Sequence, residues 1–325
     1  MKLIIQIPCL NEAATLPQTI ADLPREIPGI DEVEFLVVDD GSTDGTLAVA
    51  RSCGVDHLVR LPVNHGLAYA FGIGLTESLR RDADVIVNTD GDNQYRGEDI
   101  PALVQPILNH EADIVIGDRQ IDTIPHFSQL KKMLQKIGSW VVRWASGTHI
   151  PDATSGFRAF SRDAAMHLNV YSSYTYTLES IIQAGKMGIV ITHVPVITNK
   201  RTRDSRLIHN AFDYVMRSAI TITRILLMYE ALRFFFTLGA FLFILGTILG
   251  VRFLYFLFIS QGEGHIQSLI LTAVLLVLGF QTILLGLLGD LIAKNRKLNE
   301  DTLYQLRILR YDRFENKRSP SKNDK

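Results

Sequence analysis

Asp84-Val85-Ile86-Val87-Asn88-Thr89-Asp90-Gly91-Asp92-Asn93-Gln94 decides how the rest of the chain is read. A short apolar run, Val85-Ile86-Val87, has the pattern of a strand buried on both faces of a parallel sheet. It ends in two carboxylates separated by one glycine. In open α/β sheets, ligands collect at the carboxyl ends of such strands. Two carboxylates there repel each other and lose hydration unless a positive group lies between them. A hard divalent cation, itself holding substrate phosphates, is the natural partner. Asp and Gly also build ordinary turns, so Asp-x-Asp alone leaves both readings open.

Working outward, strand-like and helix-like segments alternate. Leu3–Ile7, Glu34–Val38, His57–Arg60, Val85–Asn88 and Asp113–Gly117 read as strands. Ala13–Leu23, Thr46–Arg51, Gly66–Leu79 and Asp99–Leu108 read as helices. This alternation predicts an α/β fold, a mostly parallel Rossmann-like sheet covered by helices on both faces. Ser128–Ser146 carries Leu130, Leu134, Ile137, Val141 and Trp144 at helical spacing, a stripe read here as core packing.

Further polar signals follow successive strands, as one shared site requires. Pro8, Asn11 and Glu12 follow the first; Asp39-Asp40-Gly41-Ser42-Thr43-Asp44-Gly45-Thr46 follows the second; Asn64-His65-Gly66 follows the third. Ser42 or Asp44 can cap the next helix, and the glycines permit a tight turn. Paired acids at a strand end can also hydrogen-bond the base or ribose of a nucleotide. His65, His126 and His149 stand isolated and read as structural, and Cys9 reads as packing.

The bulk properties bound the rest. The 325 residues have room for about two domains, and 33 basic against 34 acidic residues suggest no nucleic-acid partner. Two cysteines supply neither a disulfide framework nor zinc spacing. The amino-terminal run lacks the basic and apolar regions of a signal peptide, so this part is expected on the side where it is made. Phe234–Val251 and Leu269–Gly289 are uncharged stretches of 18 and 21 residues. At 1.5 Å per residue each can span a hydrocarbon core of roughly 30 Å. Gln261–Ser268 between them contains no Lys or Arg, whereas Arg224, Arg233, Lys294, Arg296 and Lys297 flank the outer ends. That asymmetry predicts an integral membrane protein, of the plasma membrane in a bacterium or archaeon, with both termini and the 1–205 domain cytoplasmic. Residues 206–232, basic and apolar together, read as amphipathic helices lying on membrane lipids. Residues 233–293 form the two-helix hairpin, and 294–325 read as a basic cytoplasmic tail that ends disordered.

Taken in order, these motifs resemble the family 2 glycosyltransferases of the GT-A fold, in the branch of dolichol-phosphate mannose synthases and bacterial polyprenyl-phosphate glycosyltransferases. Pro8-x-x-Asn11-Glu12, Val38-Asp39-Asp40-Gly41-Ser42-x-Asp44-x-Thr46, Asn64-x-Gly66 and Asp90-x-Asp92-x-Gln94 carry the likeness. Gly117-Asp118-Arg119 stands where the family has G-S-R, and Asp152-x-x-Ser155-Gly156-Phe157-Arg158 resembles its acidic S-G-F-R segment. The likeness implies a nucleoside-diphosphate sugar donor and a divalent cation, Mg2+ or Mn2+, held by Asp90 and Asp92. It implies Pro8, Asn11, Glu12, Asp39, Asp40 and Gln94 around the nucleotide sugar, and Arg119 at the phosphates. Asp152, Asp92 and Arg158 are the residues it makes catalytic.

The acceptor implied is a polyprenyl phosphate, met by Lys200, Arg201, Arg203 and Arg206. This run resembles a family R-x-x-G-x-S-K segment, with Lys200 for its Arg, Arg203 for its Gly and Arg206 for its Lys. Arginines suit bidentate phosphate binding. The implied enzyme inverts the sugar and has room to be a homo-oligomer. Alternatives are an acceptor that is a growing glycan or glycolipid and, in another class, a catalytically idle membrane scaffold. A glycan synthase would carry a Q-x-x-R-W motif and more spans, and a transporter more polar residues within its spans.

Overall fold

The computed structural model describes residues 1–120, 129–170, 176–199, 220, 223–224, 227, 230–259 and 266–318. Two compact units emerge: Met1–Val215 with Glu300–Lys325, and Met216–Asn299.

The first unit is built on a seven-stranded sheet: β1 (Lys2–Cys9), β2 (Glu32–Asp39), β3 (His57–Arg60), β4 (Val85–Asn88), β5 (Ile114–Asp118), β6 (Arg158–Ser161) and β7 (Ile191–Pro195). Their spatial order is β3-β2-β1-β4-β6-β5-β7. β1 pairs parallel with β2 and β4, and β5 pairs parallel with β7. β6 runs antiparallel between β4 and β5. Six strands therefore point one way and β6 alone is reversed, which gives the mostly parallel sheet expected.

Helices α1 (Leu16–Asp22), α2 (Thr46–Ser52), α3 (Leu67–Arg80), α4 (Ile100–Leu108), α5 (Gln129–Ser146), α6 (Arg162–His167) and α7 (Thr177–Met187) cover it. Leu3, Ile5, Ile7, Phe35, Val37, Val85 and Val87 are buried with Leu16, Ile100, Leu103 and Val104 in one core cluster. The apolar strand runs are thus the centre of the sheet, with polar strand-end residues emerging together at one edge. The α5 stripe departs from expectation: Val141 is buried, but Ile137 and Trp144 are exposed.

The second unit holds α8 (Ala231–Ile259) and most of α9, which runs from Ile266 to Arg318. Both are long and apolar enough to cross a membrane. Close approach is achieved through glycine. A Cβ on Gly239 would stand 2.8 Å from the Gly279 carbonyl, and one on Gly279 would stand 2.7 Å from the Phe243 nitrogen. Small residues at such crossings let helix backbones approach closely. The segment from 294, expected as a tail, continues the α9 helix to Arg318. Its Glu300–Tyr311 stretch belongs with the first unit: the Tyr304 ring stacks on His167 at 3.6 Å, and Arg307 donates to the Met166 and Leu168 carbonyls. Most of the presumed surface helices, 206–232, and the 261–265 connector lie outside the described residues.

Candidate active site

The first two strand ends are tied together by backbone capping. Asn11, in a left-handed conformation with φ of 56°, accepts from the Thr43 amide at 2.9 Å, while its own amide donates to Ser42 Oγ. The Glu12 amide donates to Thr46 Oγ1, and Glu12 Oε2 accepts from Thr15 Oγ1. Pro8 sits in β1 opposite Val38. Asp40 accepts the His65 and Gly66 amides, one on each carboxylate oxygen, at 2.8 and 2.9 Å. Asn11 and Asp40 therefore shape the two loops that frame the site.

Asp39 differs. It is wholly buried; Oδ1 accepts the Ser42 amide at 3.0 Å, and Oδ2 has no hydrogen-bond partner among the described residues. A buried carboxylate oxygen left without a donor is costly, so this atom is poised for a donor from outside the protein.

Asp90 and Asp92 lie partly exposed beyond β4, either side of a buried Gly91. The Gly91 carbonyl accepts from Thr15 and Thr19 hydroxyls, and a Cβ at 91 would strike Cys9 Sγ at 2.9 Å. Across the site a Cβ at Gly156 would lie 3.4 Å from both Asp90 carboxylate oxygens and 2.9 Å from the Tyr176 hydroxyl. Both glycines keep the space around the acids open. The donor set consists of hard carboxylates, and burial pushes the Cys9 thiol up, leaving it neutral beside them. Among the described residues no three His, Cys, Asp or Glu gather to bind a metal. The set therefore fits a cation that takes part of its oxygen shell from a diphosphate and water.

Beneath Asp90 runs a buried polar chain that the sequence reading missed. Gln6 donates to Asn88 Oδ1 at 2.9 Å, and Asn88 donates to the Gly156 carbonyl and the Tyr176 hydroxyl. Tyr176 stacks on Phe71 at 3.9 Å, and the Tyr95 hydroxyl accepts the Gly156 amide. The available signal was a polar residue interrupting each buried strand, Gln6 in β1 and Asn88 at the end of β4.

Arg119 and Asp152, expected at separate substrate groups, meet each other. Nε and Nη2 of Arg119 reach Asp152 Oδ2 and Oδ1 at 2.7 and 2.9 Å, and Thr154 Oγ1 lies 2.7 Å from Nη2. Burial opposes the Asp152 charge, but Arg119 and Thr154 outweigh it and hold this carboxyl below its usual range. Burial likewise opposes the Arg119 cation, and Tyr95 and Asp152 more than restore it. Arg158, expected among the catalytic groups, is completely buried. It donates to the carbonyls of Ala153, Ser155 and Thr177 and to Ser180 Oγ. Burial pulls its pKa down to about 10. Its guanidinium is enclosed by protein acceptors, two of which, the Ala153 and Ser155 carbonyls, lie in the segment that follows Asp152.

Gln94 closes the Asp-x-Asp loop, its amide donating to Asp92 Oδ1. Asn199 is fastened to the same loop: its amide donates to the Gln94 carbonyl at 2.9 Å and its side chain to the Asn93 carbonyl at 3.0 Å. Lys200, Arg201, Arg203 and Arg206 follow directly in sequence and lie outside the described residues.

Residues 4–168, about half of the chain, match the Glycosyl transferase family 2 model. The chain belongs to glycosyl transferase family 2. It is a glycosyltransferase, and its sheet is that of a GT-A fold. An undecaprenyl-phosphate mannosyltransferase of Micrococcus luteus is 30% identical over 206 residues, 60% of this chain and 83% of that one. A dolichyl-phosphate hexose transferase of Haloferax volcanii is 27% identical over 61% of this chain and 82% of that one. Among solved structures, glucosyl-3-phosphoglycerate synthase from Mycobacterium tuberculosis, in complex with Mn2+, UDP and glucosyl-3-phosphoglycerate, superposes with a TM-score of 0.53 at 22% identity. That match covers 70% of this chain and 78% of that one, a likeness of fold.

Proposed function

We propose that this glycosyltransferase moves one sugar from a nucleoside-diphosphate sugar to a polyprenyl phosphate at the cytoplasmic face of a membrane, with inversion. The observation that carries the reading is the fastening of Asn199 to the 93–94 carbonyls. The Lys200–Arg206 run follows Asn199 directly in sequence, and Asn199 is held to the loop that bears Asp92. An anionic acceptor drawn by that run is brought toward the acids that handle the donor diphosphate. The polyprenyl-phosphate relatives support the same acceptor.

In this reading Asp39 Oδ2 accepts from the nucleoside base, and Asn11, Glu12, Asp40 and Gln94 fix the loops around the donor. Asp90 and Asp92 would hold Mg2+ or Mn2+, which when bound stabilises negative charge on the departing diphosphate. An acceptor phosphate oxygen forms the new bond to the anomeric carbon as the bond to the diphosphate breaks, its electron pair leaving with the nucleotide. That oxygen is already anionic, so positioning counts for more than proton removal. A carboxylate with a depressed pKa is a weak base. Asp152 accordingly acts near the transfer by holding Arg119 and by its charge. The largely exposed apolar faces of α8 and α9 support membrane insertion, with Arg252 near the outer end of the first span.

The test is transfer by the full chain in membranes, given a panel of labelled nucleotide sugars with and without polyprenyl phosphate. The expected product is a labelled lipid phosphate whose formation requires the added carrier. Label in polysaccharide or glycolipid, independent of that carrier, overturns the acceptor. Ala at Arg201, Arg203 or Arg206 should raise the lipid requirement about ten- to a hundredfold, the loss of one charge-assisted contact. An effect on the donor alone assigns the run to the nucleotide.

A further inference from the structure

Helix α5 has an apolar face that the described residues of the first unit leave exposed. Met133, Ile137, Trp140 and Trp144 are each between 44 and 60% exposed. At the roughly 100° per residue of an α-helix they fall within an arc of about 60°. Val141, Val142 and Ala145, on the other side, are buried, and the helix packs there against α7. The helix carries Lys131, Lys132, Lys136 and Arg143 and no acidic residue. Lys136 and Arg143 fall beside the apolar arc at helical spacing. The inner side grips the site: Ser139 Oγ accepts the Ala153 amide at 3.3 Å, and Arg143 donates to the Ile150 carbonyl.

We propose that this face of α5 lies in the headgroup region of an anionic lipid bilayer and holds the Asp152 segment at the membrane surface. Indole rings favour that boundary, apolar in body with a polar N–H. A basic margin beside an apolar arc complements anionic headgroups. A partner protein would meet the arc equally well, but an uninterrupted basic helix with no acid favours the lipid. The inference rests on the proposed spans only for bringing the chain to a bilayer.

The chain contains two tryptophans, and both are on this face, so tryptophan emission, excited beyond the absorption of the ten tyrosines, reports this face alone. The experiment takes the full chain, without substrate, in vesicles of phosphatidylcholine with phosphatidylglycerol, containing lipids bearing a spin label near the headgroup or deep in the acyl chain. The expected result is blue-shifted emission, quenched to about half or less by the shallow label, more weakly by the deep one, and little by aqueous iodide. Trp140→Phe and Trp144→Phe should each leave a single quenched ring, and Lys136→Glu should reduce quenching in the anionic vesicles. Emission at the wavelength of water-exposed indole, quenched by iodide, overturns the inference. So does shielding from both quenchers that grows with protein density, the sign of a second copy covering the face. Flotation of the wild-type chain separates the readings. A chain that floats through a salt wash with water-exposed tryptophans refutes the α5 contact and leaves the spans standing, while one that does not float refutes both.

Discussion

At the ends of β2 and β4, Asp39 keeps a buried oxygen without a donor among the described residues, and Asp90 and Asp92 stay partly exposed in a space cleared by glycines. At the ends of β5 and β6, Arg119, Asp152 and Arg158 are buried and answered by protein groups. In the proposed reading the first half of the sheet offers charge to a ligand, whereas the second uses charge to fix its own backbone. Buried ions are tolerable only when well partnered, which is why the charges of the second half are answered within the protein. If that contrast holds, substitutions on the two sides should fail in different ways.

The largest effect belongs to Asp152→Ala. It leaves the Arg119 guanidinium buried without its carboxylate, and removing one partner of a buried pair costs about 3–5 kcal/mol. Thermal unfolding of the full chain in detergent should show the loss, and an unchanged transition would mean the pair carries no stability. The pH dependence has a definite sign. Because the folded pKa lies below the unfolded carboxylate value of about 3.9, the contribution is complete above that value and fades as pH falls toward the depressed one. Asp152→Asn should therefore be least stable relative to wild type above about pH 4, with the difference shrinking in acid.

Asp92→Ala should do the opposite, leaving the unfolding transition in place while transfer collapses. Loss of Lewis-acid stabilisation of the leaving group is worth several kcal/mol, about a hundred- to a thousandfold in rate. Chelation should inhibit the wild type and barely touch the variant. Full turnover in chelator would remove the cation from the site altogether.

The sequence exposed these two halves unequally. β1, β2 and β4 are largely apolar runs, β2 and β4 ending in Asp39 and Asn88 and β1 followed by Asn11, and their motifs sit where a parallel sheet must gather them. β6 escaped because Arg158-Ala-Phe-Ser161 starts with a charge whose burial depends on carbonyls from Ala153 and Thr177. β7 is an edge strand ending in Pro195 and shows little apolar pattern. Nothing in the spacing of Arg119 and Asp152, 33 residues apart, says that they pair with each other instead of with separate parts of the substrate. Motif identity was readable; which charges cancel required the fold. The exposed half of the α5 stripe was misassigned for a related reason, since periodicity marks an apolar face without saying what covers it.

A smaller effect sharpens the open side. Asp39→Asn keeps Oδ1 for the Ser42 amide but replaces the partnerless Oδ2 acceptor with an amide donor. If that oxygen receives a donor from the nucleoside base, the donor KM should rise about ten- to a hundredfold, the worth of one hydrogen bond to a charged group. The lipid requirement should stay put. A KM change for the lipid instead would move Asp39 out of the nucleotide pocket.

The smallest effect lies behind the closed side. α6 follows β6 directly, and its last turn would leave backbone carbonyls without donors. Arg307 supplies them, its Nη1 donating to the Met166 and Leu168 carbonyls at 2.7 and 2.8 Å. A cation at a helix C-terminus also meets the negative end of the helix dipole. Tyr304 adds a stacked ring on His167 and a hydroxyl donated to Asp163. Arg307→Ala should therefore cost about 1–2 kcal/mol, through two carbonyls returned to water and one dipole contact. The cost should be local. Amide exchange in α6 should quicken while β1–β4 amides and the donor KM remain as in wild type. If exchange instead quickens across β2 and β4 as well, the two halves unfold as one unit and the division drawn between them fails.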